Sequence, residues 1–186
     1  MGVNMINRRE FLGCTAATVA TLMAPKAFAL AGSNRAITHR DRKLGFYNLH
    51  TGEKLSATYW AEGQYQADEL AAINQLLRDH RNGEVAHIDH RLLDQLYLLQ
   101  HDLADNKHFE VISGYRSLST NKKLQKATTG VAKKSLHMQG RAIDVRLTGV
   151  DLKHLRQAAI KLKAGGVGYY PESNFVHLDT GRHRFW

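Results

Sequence analysis

The chain has 186 residues, 43% hydrophobic and 23% charged, with a formal charge of +9, which fits one ordinary globular domain after removal of any leader. The basic excess points to a polyanionic neighbour, whether nucleic acid, an anionic membrane face or an anionic wall polymer. The basic residues are dispersed, with no recognition helix, glycine-aromatic RNA-binding strand or zinc-finger cysteine pattern, so no nucleic-acid partner is expected, and a generally basic surface is the plain alternative.

The first 29 residues have the three parts of a cleavable export signal. Asn7-Arg8-Arg9-Glu10-Phe11-Leu12-Gly13 gives a charged start, residues 11–24 an uncharged and mostly apolar run, and Ala27-Phe28-Ala29 a small-residue ending. The adjacent arginines followed by Phe11 and Leu12 resemble the twin-arginine class. The apolar run is shorter than the ~20 residues of a membrane-spanning helix, so cleavage after Ala29, a periplasmic location and no permanent membrane anchor are expected. The leader takes Arg8, Arg9, Lys26 and Glu10 with it, leaving 23 basic against 16 acidic residues. Cys14 is the only cysteine, so the mature chain has no disulfide and any metal site must use His, Asp or Glu.

Residues 30–42 are polar, basic and aperiodic and are read as a linker ahead of one domain, 43–186. In that domain 43–59 suggest a small hairpin turning at His50-Thr51-Gly52-Glu53. Leu70, Ile73, Leu76 and Leu77 predict a helix stopping near Asn82-Gly83, and Leu92, Leu93, Leu96, Leu99 and Leu103 a second one capped by Asp89. His80, His87, His90 and His101 on or beside these helices read as surface residues. Phe109-Glu110-Val111-Ile112-Ser113 is a strand entering a glycine turn that presents Arg116, and a polar helix over about 119–127 and a basic loop to Lys134 follow.

Residues 135–145, Ser-Leu-His-Met-Gln-Gly-Arg-Ala-Ile-Asp-Val, carry an imidazole at His137 and a carboxylate at Asp144, which opens a strand. Imidazole nitrogen and carboxylate oxygen are a mixture Zn²⁺ accepts. In a chain with 11 histidines, spacing alone favours a solvated loop histidine and a turn or strand-end carboxylate over a metal pair. A third helix follows, with Leu152, Leu155, Ala159 and Leu162 inward, ending before Gly165-Gly166. The final hairpin joins 166–170 to 175–179, and its alternation puts Phe175, His177 and Asp179 on one face. His177 is the candidate third ligand. Tyr115, Tyr169, Tyr170 and Trp186 are candidate groove residues and equally candidate packing residues.

Ser113-Gly114-Tyr115-Arg116-Ser117, then Ser135-x-His137-x-x-Gly140-x-Ala142-x-Asp144, then Gly165-Gly166-x-Gly168-x-Tyr170 leading to Phe175-Val176-His177-x-Asp179, resemble the ordered motifs of the zinc D-Ala-D-Ala peptidases. That family shares its fold with the Hedgehog signalling domain. With Asn48-Leu49-His50-Thr51-Gly52-Glu53 and the twin-arginine leader, the pattern is similar to the murein endopeptidases of the group.

The resemblance implies an α+β domain with a small antiparallel sheet flanked by helices. It also implies zinc held by His137, Asp144 and His177, Arg116 as the group polarising the substrate, and peptidoglycan cross-links as the substrate. Many relatives carry an acidic residue three positions before the last histidine, where this chain has Asn174. Asp179 is the substitute, either as the catalytic proton acceptor or as a carboxylate orienting an imidazole. The competing expectations are a carboxypeptidase or dipeptidase acting on stem peptides, and a wall-binding module of the same fold without hydrolysis.

Overall fold

The computed structural model describes residues 40–127 and 131–186. The expected export signal, most of the 30–42 linker and residues 128–130 of the basic loop lie outside these residues.

The alternating residues of the first hairpin form β1 (Arg42–Asn48) and β2 (Lys54–Ala61), paired antiparallel. Asn48 closes their turn, its Oδ1 accepting from the amides of His50 (2.9 Å) and Thr51 (3.3 Å). β3 (Gln64–Tyr65) extends this edge, and α1 (Ala67–Leu76) and α2 (His90–Leu103) carry the chain back across the sheet. Asp89 caps α2, its side chain accepting from the Arg91 amide, as its position ahead of the apolar stripe predicts.

β4 (Phe109–Ser113) then pairs with β1 in parallel, the outcome of a helical crossover. After α3 (Leu118–Ala127) and one 3-10 turn (Leu136–Gln139), the chain forms β5 (Ala142–Leu147) and α4 (Leu152–Leu162). β6 (Gly166–Tyr170), β7 (Phe175–Asp179) and β8 (Arg184–Phe185) complete the domain.

The strands form one eight-stranded sheet in the order β3-β2-β1-β4-β5-β7-β6-β8. The α+β class and the flanking helices agree with the sequence. The sheet itself is larger than the small antiparallel one expected, and β1–β4 and β6–β8 pair in parallel.

One buried cluster joins Leu44 and Phe46 of β1, Phe109 and Val111 of β4 and Ile143, Val145 and Leu147 of β5. Val176 and Leu178 of β7 meet it, with the leucine stripe of α2 and Leu155 and Ala159 of α4. Each of these large side chains contributes about 1.5–3 kcal/mol through burial. The strands present alternate residues to this core, so 142, 144, 175, 177 and 179 project from the other face of the sheet. That division assigns hydrophobic residues to stability and leaves the opposite face for polar chemistry.

α4 does not stop on glycine. Lys163 takes the left-handed cap conformation (φ 55°), and the glycines that follow serve close approach instead. A Cβ on Gly165 would lie 1.7 Å from the Asp179 carbonyl oxygen, and one on Gly166 2.5 Å from Asp179 Oδ2. The glycine pair is therefore a requirement of the polar face beneath it.

Candidate metal centre

Antiparallel register sets Asp144 of β5 directly opposite His177 of β7. His137 reaches the same point from the 3-10 turn. Ser135 caps that turn, its hydroxyl accepting from the His137 amide, and Gly140 ends it at φ +64°. A side chain at Gly140 is barred twice, by that backbone conformation and by the His87 carbonyl, which a Cβ would approach to 2.0 Å. A register shift in β4 between Val111 and Ser113 bends the strand end, so that the Gly114 carbonyl and the Arg116 side chain also reach the site.

Ligand atoms of His137, Asp144 and His177 lie within 4.8 Å of one another. Asp144 Oδ1 is 2.8 Å from His177 Nδ1 and 3.3 Å from His137 Nε2, and the two ring nitrogens are 3.2 Å apart. All three residues line a cleft of about 590 Å³ together with Arg116, Lys134 and Trp186. A larger groove of about 730 Å³ lies around Lys43, Lys54 and Lys107, among residues that supply none of these ligand atoms.

The outer partners of the imidazoles fix what the inner atoms can do. His137 Nδ1 lies 2.8 Å from the Gly114 carbonyl oxygen, which only accepts, so this nitrogen carries the proton and Nε2 turns a lone pair inward. His177 stands between two carboxylates, with Nε2 3.1 Å from Asp179 Oδ2 and Nδ1 2.8 Å from Asp144 Oδ1, so a neutral ring that donates to Asp179 turns its Nδ1 lone pair inward. In that form two lone-pair nitrogens and a carboxylate face one another. A shared proton or a metal ion satisfies such a set, and neutral imidazoles oriented by a carbonyl and a carboxylate are the form in which histidine binds metals.

Without metal the proton takes this place. Burial by itself pushes the His177 imidazole down, but Asp144 and Asp179 reverse this and raise it to about 9. Burial likewise pushes Asp144 up, and His137 and His177 outweigh it, holding the carboxyl well below its ordinary range.

Asp179 is fully buried, at 0% exposure. Its Oδ1 accepts from the amides of Gly166 (3.0 Å) and Gly181 (2.8 Å), and Arg184 closes a fork on it with Nη1 to Oδ1 at 3.0 Å and Nη2 to Oδ2 at 2.6 Å. Burial opposes its ionisation, and His177, Arg184 and the two amides overcome this to keep it ionised.

Arg116 lies 3.9 Å from Asp144 Oδ2 through Nη2 and donates to Asn121 Oδ1 through Nη1 (3.3 Å), while its buried Nε has no partner among the described residues. Burial pulls its guanidinium below the ordinary value and Asp144 opposes the shift. Asn174 takes φ +54° in the β6–β7 turn, a conformation asparagine tolerates better than most side chains.

The structure therefore brings together His137, Asp144, His177, Arg116 and Asp179. Of the four aromatic candidates, Tyr170 and Trp186 line the cleft. The Tyr115 hydroxyl instead donates to Glu84 (2.6 Å), and the Tyr169 ring carries the Arg156 guanidinium at 5.3 Å. Sequence reasoning missed the Gly114 carbonyl, which no side-chain pattern announces, and Arg184, whose position five residues after Asp179 was the available signal.

A cation-demanding His-Asp-His cluster with an arginine beside it, set on the polar face of an α+β sheet, defines the class of site a metallohydrolase needs. The family model described as "Peptidoglycan L,D-endopeptidase MepK" matches residues 36–186, and the chain belongs to this peptidase family. It is 46% identical over 182 residues to the peptidoglycan L,D-endopeptidase MepK of Escherichia coli (strain K12), covering 97% of each chain, and matches the Shigella flexneri protein of that name equally. Identity to the probable peptidoglycan L,D-endopeptidase MepK of Haemophilus influenzae is 38% over 181 residues, 97% of this chain and 95% of the relative.

Proposed function

We propose that this chain is a zinc-dependent peptidoglycan L,D-endopeptidase that opens peptide cross-links of the cell wall. The observation that carries the reading is the convergence of His137 Nε2, Asp144 Oδ1 and His177 Nδ1, 2.8–3.3 Å from one another, in a cleft that Arg116, Lys134 and Arg184 also line. The names of relatives that match nearly the whole chain favour an endopeptidase over a carboxypeptidase or a binding module.

His137, Asp144 and His177 would hold the ion, and two imidazoles with one carboxylate are a ligand set of catalytic zinc. When bound, zinc supplies a Lewis acid and a source of hydroxide near neutral pH. The Gly114 carbonyl and Asp179 hold the two imidazoles in the tautomers that keep their inner nitrogens free. Asp179, saturated by two amides and the Arg184 fork, serves here as the orienting carboxylate and not as the proton acceptor. Arg116 is a fixed cation with donor capacity left, suited to an oxyanion or to a substrate carboxylate.

In this reading residues 1–29 are a twin-arginine-type leader, 30–42 a linker and 43–186 the catalytic domain, exported to the periplasm where the substrate lies. No helix among the described residues is long and apolar enough to cross a membrane. Metal analysis of the purified protein tests the ligand assignment. Stoichiometric zinc that is lost in both His137→Ala and Asp144→Ala agrees with it, and zinc retained in both contradicts it.

A further inference from the structure

Trp186 is half exposed and yet held through both its backbone and its indole. It keeps 48% of its surface accessible. Its backbone is bound to β6, its amide donating to the Val167 carbonyl (3.1 Å) and its carbonyl accepting from the Tyr169 amide (3.0 Å). Its Nε1 donates to the Tyr170 hydroxyl (2.9 Å), and the Arg184 guanidinium lies 5.0 Å from its ring centre.

The indole leans on the metal-site imidazole of His177, with ring centres 5.5 Å apart. Gly168, directly opposite His177 in the sheet, leaves room for this packing, because a Cβ there would come within 2.8 Å of both the Trp186 and the Tyr170 rings. Next to it Tyr170 stacks on Phe175 at 4.6 Å. An exposed indole immobilised by this many contacts has lost its rotamer freedom in advance, which is how an aromatic contact surface gains affinity.

We infer that Trp186, braced by Tyr170 and Arg184, is a pre-organised platform on which the peptide arm of the substrate lies beside the metal centre. The occupant is a carboxylate-bearing peptide segment. Its flat amides and alkyl parts match the indole face. Its charge matches what the cleft has unused, since Asp144 and Asp179 are committed to the histidines and Arg184, while Lys134 has no ion-pair partner among the described residues. Trp186 thereby sets how a cross-link is positioned and does no chemistry itself. The assignment of the arm to peptidoglycan rests on the function proposed above.

The test uses the zinc-loaded protein and a purified cross-linked muropeptide dimer. Trp186→Ala is expected to raise KM roughly tenfold, the loss for one large aromatic contact, with zinc affinity unchanged, and Trp186→Phe to recover most of it. An unchanged KM in Trp186→Ala overturns the platform. So does a joint loss of kcat and zinc affinity, which would make the indole a prop for His177.

A second readout does not depend on turnover. In a Trp60→Phe background Trp186 is the remaining tryptophan, and an uncross-linked muropeptide monomer is expected to shift its fluorescence saturably. That shift in a protein that cleaves no cross-link keeps the platform and refutes the hydrolytic reading. Cleavage with neither a shift nor a KM effect does the reverse.

Discussion

Substituting Asp179→Asn separates the two roles open to this carboxylate. Oδ1 must remain an oxygen, because it accepts from the Gly166 and Gly181 amides at 3.0 and 2.8 Å. The new amide nitrogen therefore falls at the Oδ2 position, facing His177 Nε2 at 3.1 Å and Arg184 Nη2 at 2.6 Å, two groups that are already donors. His177 escapes the donor–donor contact by moving its proton to Nδ1, the atom that would offer its lone pair to the proposed metal.

Loss of such an outer partner lowers metal affinity about 10- to 100-fold, or about 1.4–2.7 kcal/mol. Folding stability falls as well. Removing one partner of a buried ion pair costs about 3–5 kcal/mol, and the lower end applies because the Arg184 side chain is 32% exposed and regains water. Zinc competition with a chromophoric chelator measures the first effect, denaturant unfolding the second, and nitrogen spectra of the metal-free imidazoles, taken above pH 9 where His177 is neutral, the tautomer. Unchanged zinc affinity with kcat reduced a hundredfold or more would refute this reasoning and make Asp179 the proton acceptor.

Three further outcomes follow from the same geometry. Arg116→Lys keeps the charge but not the fork, and should lower kcat by about 100-fold while zinc content stays the same; wild-type kcat would remove Arg116 from the mechanism. Gly140→Ala should destabilise the domain by at least the ~1–2 kcal/mol of a left-handed alanine, with more from the His87 carbonyl, and an unchanged melting temperature would contradict the described turn. In the metal-free protein the His177 pKa is raised from 6.5 to about 9, so its contribution to stability is complete below about pH 6.5 and disappears as pH rises through 9. Asp144 and Asp179, held below 3.8, contribute above that value and lose their effect as pH falls beneath it. Thermal melts of chelator-treated protein across pH 3–10 should show both flanks, and a flat profile above pH 6.5 would contradict the bridging proton.

Much of this was legible because it is local. The α2 stripe and its Asp89 cap, the β1–β2 and β6–β7 hairpins and the shared face of His177 and Asp179 all follow from periodicity, turn residues and alternation. Parallel pairing was not legible, since nothing in Arg42–Asn48 or Phe109–Ser113 encodes a partner about sixty residues away. The stop after α4 misled because Gly165-Gly166 resembles a helix end, whereas Lys163 takes the cap and the glycines make room for Asp179. The candidate ligands could be listed from motifs, but their protonation could not, because it depends on a backbone carbonyl at Gly114 and a guanidinium at Arg184 that only the folded chain brings near.

Digestion of purified cross-linked peptidoglycan by the chain lacking residues 1–29, with chelator and with zinc restored, followed by mass analysis of the fragments, tests the central claim most directly. The account predicts conversion of cross-linked dimers to monomers by cleavage at an L,D bond, abolished by chelator and recovered with zinc. Cleavage that persists in chelator, or zinc-loaded protein that leaves every cross-link intact, would contradict it.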